Sequence, residues 1–134
     1  MKRLLPLLLL WCSPLVGQCL TFEPDTVRLA GVLTIGGFPG RPNYEDTLKG
    51  DEPEHPYILS LASKICVSGD STSDLNRDDQ SGIQNVQLVF LEALPRDLGP
   101  LVGKRVILMG TLTTAISGHH HTPVLLIVSR LRAA

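Results

Sequence analysis

The sequence predicts an all-β chain folded as one small closed barrel. Three observations carry this. Apolar residues alternate with period two in several short runs. Proline and glycine punctuate every long polar stretch, which excludes regular helices there. The chain has 134 residues with only 4% aromatic content, enough for one core built from aliphatic strands.

Residues 1–18 read as a secretory signal. Lys2 and Arg3 form a charged start, Leu4 to Val16 is apolar apart from Ser13, and Gly17 offers a small residue for cleavage. The apolar run is too short to remain as a membrane span. Cleavage is expected near Gly17 or Gln18, leaving residues 19–134 as a single domain without a transmembrane segment. Gln18 before Cys19 fits a lipid-attachment signal poorly. The expected location is the periplasm or the extracellular medium.

Loss of Lys2 and Arg3 moves the formal charge from −1 to about −3. A chain of that sign has no bulk electrostatic attraction to nucleic acid, and its few aromatic residues make poor stacking platforms for single strands. Cys12 leaves with the signal, so Cys19 and Cys66 remain. An oxidising compartment favours joining them. A 47-residue loop closed this way costs the unfolded chain about 4 kcal/mol of entropy.

Val27 to Phe38 alternates well at first, placing Val27, Leu29, Gly31, Leu33 and Ile35 on one face and Arg28, Ala30, Val32 and Thr34 on the other, with Gly31 and Gly36-Gly37 suggesting a bend or bulge. This is the first strand. Pro39 to Pro56, P-G-R-P-N-Y-E-D-T-L-K-G-D-E-P-E-H-P, is a long irregular connection of the kind that often carries function. Tyr57 to Ala62 is the second strand, with Ile65 to Val67 continuing it or forming a separate piece. Ser68 to Asn85 is polar and reads as a solvated excursion. Val86 to Glu92 is the third strand. Leu94 to Leu101, between Pro95 and Pro100, has room for one helical turn. Two strands then flank the turn S-G-H-H-H-T-P. Five strands with a helical turn between the third and fourth is the order of an OB-like barrel. An SH3-like barrel or a small sandwich is the alternative.

The sequence resembles a bacterial family of small exported proteins of unknown function. The carrying residues are Cys19-Leu20 with Glu23-Pro24, V-x-L-x-G-x-L from Val27, F-P-G-x-P-N-Y-E from Phe38, and G-D-E-P-E from Gly50. I-C-V at Ile65 and V-Q-L-V at Val86 follow. The last block joins V-G-K-x-V from Val102, G-T-L from Gly110 and G-H-H-H-T-P-V from Gly118. The resemblance implies export and a single domain. It implies no activity.

All four histidines fall in two loops: His55 in the first, His119, His120 and His121 in the last. In an OB-like barrel these loops flank the usual ligand face. An extended triplet sends His119 and His121 one way and His120 the other. Neutral imidazoles two apart suit zinc, copper or nickel, zinc or copper foremost, with His119, His121 and His55 as the ligand set and Asp51, Glu52 or Glu54 as substitutes for His55. The competing readings are that the histidines close the barrel end by hydrogen bonding, or are simply exposed. Arg41, Tyr44, Glu54, His55, His119, His120 and His121 are the candidate ligand-binding residues.

Other motifs fail. Asp74, Asn76 and Asp78 mimic the start of a calcium loop, but Asp79 stands where glycine is needed and Asn85 where glutamate is needed. No G-x-S-x-G elbow and no G-K-[ST] phosphate loop occur. No catalytic residues are assigned. The expected function is a binding or structural module of the cell envelope, acting on an envelope ligand or protein through residues 38–55 and 117–122. A zinc or copper protein, or a metal-assisted hydrolase with Glu54 as general base, is the alternative.

Overall fold

The computed structural model describes residues 18–91 and 97–134. The expected signal, with Cys12, lies outside these residues except at Gln18. So do Glu92 and the first residues of the expected helical turn.

The strands are β1 (Leu20–Thr21), β2 (Thr26–Ile35), β3 (Phe38–Pro39), β4 (Pro53–Glu54), β5 (Tyr57–Ser68), β6 (Gln80–Phe90), β7 (Arg105–Thr114) and β8 (Val124–Ala133). Five of them close a barrel in the order β5-β2-β7-β8-β6, with β6 returning to β5. All neighbours are antiparallel except β6 and β8, which run parallel. This is an all-β barrel consistent with the OB-like architecture. Closure leaves the long strands no free edge to pair with another chain. The only helical elements among the described residues are two 3₁₀ turns, Thr47–Lys49 and Gly99–Leu101. The second lies between the third and fourth barrel strands, where a turn was expected.

Alternation fills the barrel. Val27, Leu29 and Leu33 of β2 face inward with Leu59 and Val67 of β5, Val86 of β6, Val106, Leu108 and Leu112 of β7, and Val124, Leu126 and Val128 of β8. Each fully buried Leu or Val contributes roughly 1.5–3 kcal/mol of transfer free energy. Phe22 and Leu98 join the same core. Ile35 departs from the expected pattern: it is half exposed, because β2 ends there as the chain leaves the barrel wall.

The polar excursion is shorter than expected. Residues 80–85 belong to β6, pairing Ile83 with Ile65 and Gln80 with Val67. Ser81 and Gly82 therefore stand opposite Cys66 alone, a bulge that bends the strand. Period two is lost there, which is why the alternation rule missed this segment. β5 is continuous from Tyr57 to Ser68, with irregular register beyond Ser60.

Within the remaining loop Asn76 is buried, not solvated. Its Oδ1 accepts from the Thr114 backbone N–H at 2.8 Å, pinning the loop to the end of β7. The expected Cys19–Cys66 disulfide is present and fixes the start of the fold to β5.

Candidate functional site: a carboxylate between two histidines

The β2–β5 connection and the β7–β8 turn meet at one end of the barrel. Their meeting point is Glu54. Its Oε1 lies 2.5 Å from Nδ1 of His119 and its Oε2 lies 2.7 Å from Nε2 of His121. One carboxylate thus grips two side chains about 65 residues further along the chain. The hydroxyl of Tyr44 is 3.1 Å from Nε2 of His119. With Nδ1 donating to Glu54, that Nε2 is free to accept from the phenol. Phe38 stacks face to face on His121, with ring centroids 4.4 Å apart and planes within 1°.

Each partner is held by its own loop. Residues 40–52 wrap around Asp51, a buried carboxylate. It accepts backbone N–H bonds from Asn43 and Glu45 at 2.8 Å and from Asp46 at 3.0 Å. Those donors, Asp46 first, hold its pKa below the usual carboxylate value. Asp51 is therefore committed to the loop backbone and does not reach the histidines. Tyr44 adopts φ 57°, a left-handed conformation rare for a large side chain. It turns the ring toward the histidine loop.

Two glycines permit the approach. A Cβ on Gly40 would stand 2.6 Å from Oε1 of Glu54, and one on Gly118 would stand 2.9 Å from the Tyr44 ring. Both distances are below any tolerable contact.

The histidine turn is anchored from below by Gln87 of β6. Its Oε1 accepts from the His121 N–H at 2.7 Å and its Nε2 donates to the His119 carbonyl at 2.9 Å. The Thr122 hydroxyl accepts from the Gln87 N–H at 2.9 Å and donates to the Val124 carbonyl at 2.7 Å. Both side chains are buried. The sequence reading missed them; the signal was a lone glutamine inside the apolar run V-Q-L-V.

His120 turns back into its own loop, where Nδ1 accepts from the Ile116 N–H at 3.0 Å. That bond requires an unprotonated Nδ1. Its pKa is lowered, first by burial and then by the neighbouring His119 and His121. Glu54 is held below the usual carboxylate range, chiefly by the hydrogen bond from His121 and then by that from His119.

Of the candidate residues, Tyr44, Glu54, His119 and His121 come together. His55 instead donates from Nδ1 to the Gly36 carbonyl at 3.1 Å. Arg41 is exposed, and its backbone carbonyl accepts from the Glu52 N–H. Among the described residues no group of three or more His, Cys, Asp or Glu side chains is arranged to hold a metal ion. The ring nitrogens of His119 and His121 that face Glu54 are occupied by its oxygens, which is the geometry of a closing hydrogen-bond clamp. The Tyr44–His119–Glu54 chain can also pass a proton along a hydroxyl, an imidazole and a carboxylate.

Beside this clamp lies a groove of about 490 Å³. Phe38, Ile58, Ile83 and Pro123 supply apolar walls, and Gln84 and His121 supply polar ones.

Residues 85–132 match the model of a domain of unknown function, DUF4431. The matched stretch includes Gln87 and the three histidines and stops short of Tyr44 and Glu54 in sequence. It covers less than half of the chain. No curated protein matches the sequence.

Proposed function

We propose that this protein is an exported, non-enzymatic binding module of the cell envelope, with its ligand seated in the groove beside the Glu54 clamp. The observation that supports this reading is the locking of two distant loops by one carboxylate. The lock presents Phe38 and His121 as a pre-ordered wall, and a site ordered before binding loses less entropy when occupied. The groove volume and its mix of apolar walls with few polar groups suit a small ligand. The disulfide fits an oxidising compartment. No helix among the described residues is long and apolar enough to cross a membrane.

Ligand-observed NMR with a fragment set tests this, followed by mapping of hits on protein amides. Hits are expected to shift Ile83, Gln84 and His121 together and to weaken in Phe38→Ala. Shifts scattered over the barrel with no response to Phe38→Ala would overturn the reading.

A metal-dependent role for the same rim, with zinc or copper on His119 and His121, is the second reading: two imidazoles flank one carboxylate, each on a different oxygen. It requires Glu54 to give up at least one histidine. Calorimetric titration with zinc decides it, since binding weaker than micromolar removes the role.

A further inference from the structure

We propose a second binding site, on the outer wall of the barrel, for a small anionic amphiphile: a carboxylate or phosphate head on an apolar chain. It stands independently of the clamp and its groove.

The outer faces of β2, β7 and β8 bring three arginines around two hydrophobic side chains. Strand register places Arg28 opposite Met109, and Met109 opposite Arg130. One step along, Ile107 lies between Ala30 and Arg132. These residues, except Ala30, line an open groove of about 690 Å³ together with Ser129 and Leu131. Small-molecule sites fall in the range of roughly 300–1,000 Å³. At strand spacings near 4.8 Å, the backbones of Arg28 and Arg130 stand about 10 Å apart across β7. Arg130 and Arg132, two residues apart on one face, are separated by about 7 Å. All three guanidinium groups can therefore reach one head group above Met109.

An ordinary solvated surface explains this patch less well, for two reasons. The chain carries a formal net charge of −1, yet none of these arginines joins an ion pair among the described residues. Their mutual repulsion is relieved by an anion, which guanidinium binds in bidentate fashion. In addition, the outer wall of a barrel is ordinarily polar, whereas Ile107 and Met109 are only half-buried here. Arginine stems can cover such side chains in the free protein. An acyl or alkyl chain covers them in the complex. Inorganic phosphate lacks the apolar contact and a neutral chain lacks the charge, so the two features together select an amphiphile.

Calorimetric titration of the full protein with monomeric decyl phosphate tests the site, with inorganic phosphate and decyl maltoside as comparison probes. Decyl phosphate is expected to saturate one site and to shift the Met109 and Ile107 methyl resonances. Arg130→Glu and Arg132→Glu are each expected to weaken it at least tenfold, and both comparison probes to bind at least tenfold more weakly. Lys64→Glu, the same charge reversal on exposed β5, is expected to leave the affinity unchanged. These arginines are exposed, so circular dichroism should report a native fold; Arg28→Gln serves if a reversal disturbs it. An equal loss in Lys64→Glu overturns the proposal, as does phosphate binding as tightly as decyl phosphate. Binding only to anionic phospholipid vesicles, seen by co-sedimentation, overturns it in favour of a membrane-surface role.

Discussion

The side-chain carbonyl of Gln87 accepts the backbone N–H of His121 at 2.7 Å, while the same amide group donates to the carbonyl of His119. One buried glutamine therefore sets the path of the histidine turn before any histidine side chain is placed.

Gln87→Leu leaves two backbone groups of the turn without partners. A buried group stripped of its hydrogen bond costs about 1–3 kcal/mol. Urea denaturation is expected to register a loss of that size. Amide exchange at His121 should accelerate well beyond that at β7 core positions such as Leu108.

Gly118→Ala brings a methyl against the Tyr44 ring, and Gly40→Ala brings one against Glu54. Overpacking of this kind costs about 1–3 kcal/mol. For a barrel of this size that corresponds to a fall in melting temperature of roughly 4–20 °C. The T-shaped Tyr44–His119 contact should loosen in Gly118→Ala, visible as a shift of the His119 ring resonances.

Acid should destabilise the fold in two stages. His120 has a lowered pKa, so its stabilising contribution is complete above the ordinary value of 6.5 and is lost as pH falls below it. Glu54 and Asp51 are also lowered. Their contributions are complete above 4.5 and 3.8 and disappear as pH falls through the folded values beneath. Stability measured from pH 8 to pH 2 should drop first below about 6.5 and again below about 4.5. Glu54→Gln should flatten the second drop, because an amide does not titrate. An unchanged second drop in that variant would show that Glu54 does not hold the histidines in solution.

Reduction of Cys19–Cys66 is expected to remove up to about 4 kcal/mol of stability, as the 47-residue loop regains its freedom. Urea midpoints with and without reductant measure this. The effect should vanish in Cys19→Ser/Cys66→Ser, which is already open.

The barrel was legible because β2 and the first half of β7 alternate their inward aliphatics, as in Val27, Leu29 and Leu33 or Val106 and Leu108. Alternation failed at the Ser81–Gly82 bulge, where an extra residue breaks the period, at the similar slip beside Ser129 of β8, and at the exposed end of β2, Ile35. Co-location of Tyr44 and Glu54 with His119 and His121 followed from strand order, since the two loops emerge at the same end. The individual partners did not. Nothing in the spacing distinguishes Glu54 from Glu52, or His55 from His121, because their roles depend on which way each loop turns. That direction is set by Asp51 gathering three backbone donors and by Gln87 holding the turn. Both are polar side chains buried for structural reasons, and a single sequence presents them as ordinary surface residues. Asn76 was hidden in the same way, inside a run of solvated-looking aspartates and serines.

β8 begins beside the histidine turn and ends among the outer arginines. It pairs with β6 in unbroken register from Leu125 to Val128, but its pairing with β7 slips by one residue at Ser129, which has no partner between Arg130 opposite Met109 and Val128 opposite Gly110. Ahead of that slip, adding or deleting one residue would turn every later side chain to the opposite wall. Arg130 and Arg132 would then point into the barrel and Leu131 out of it. The rim and the outer wall can therefore diverge among related chains by point substitution, while a change in the length of this strand is absorbed only at the Ser129 slip.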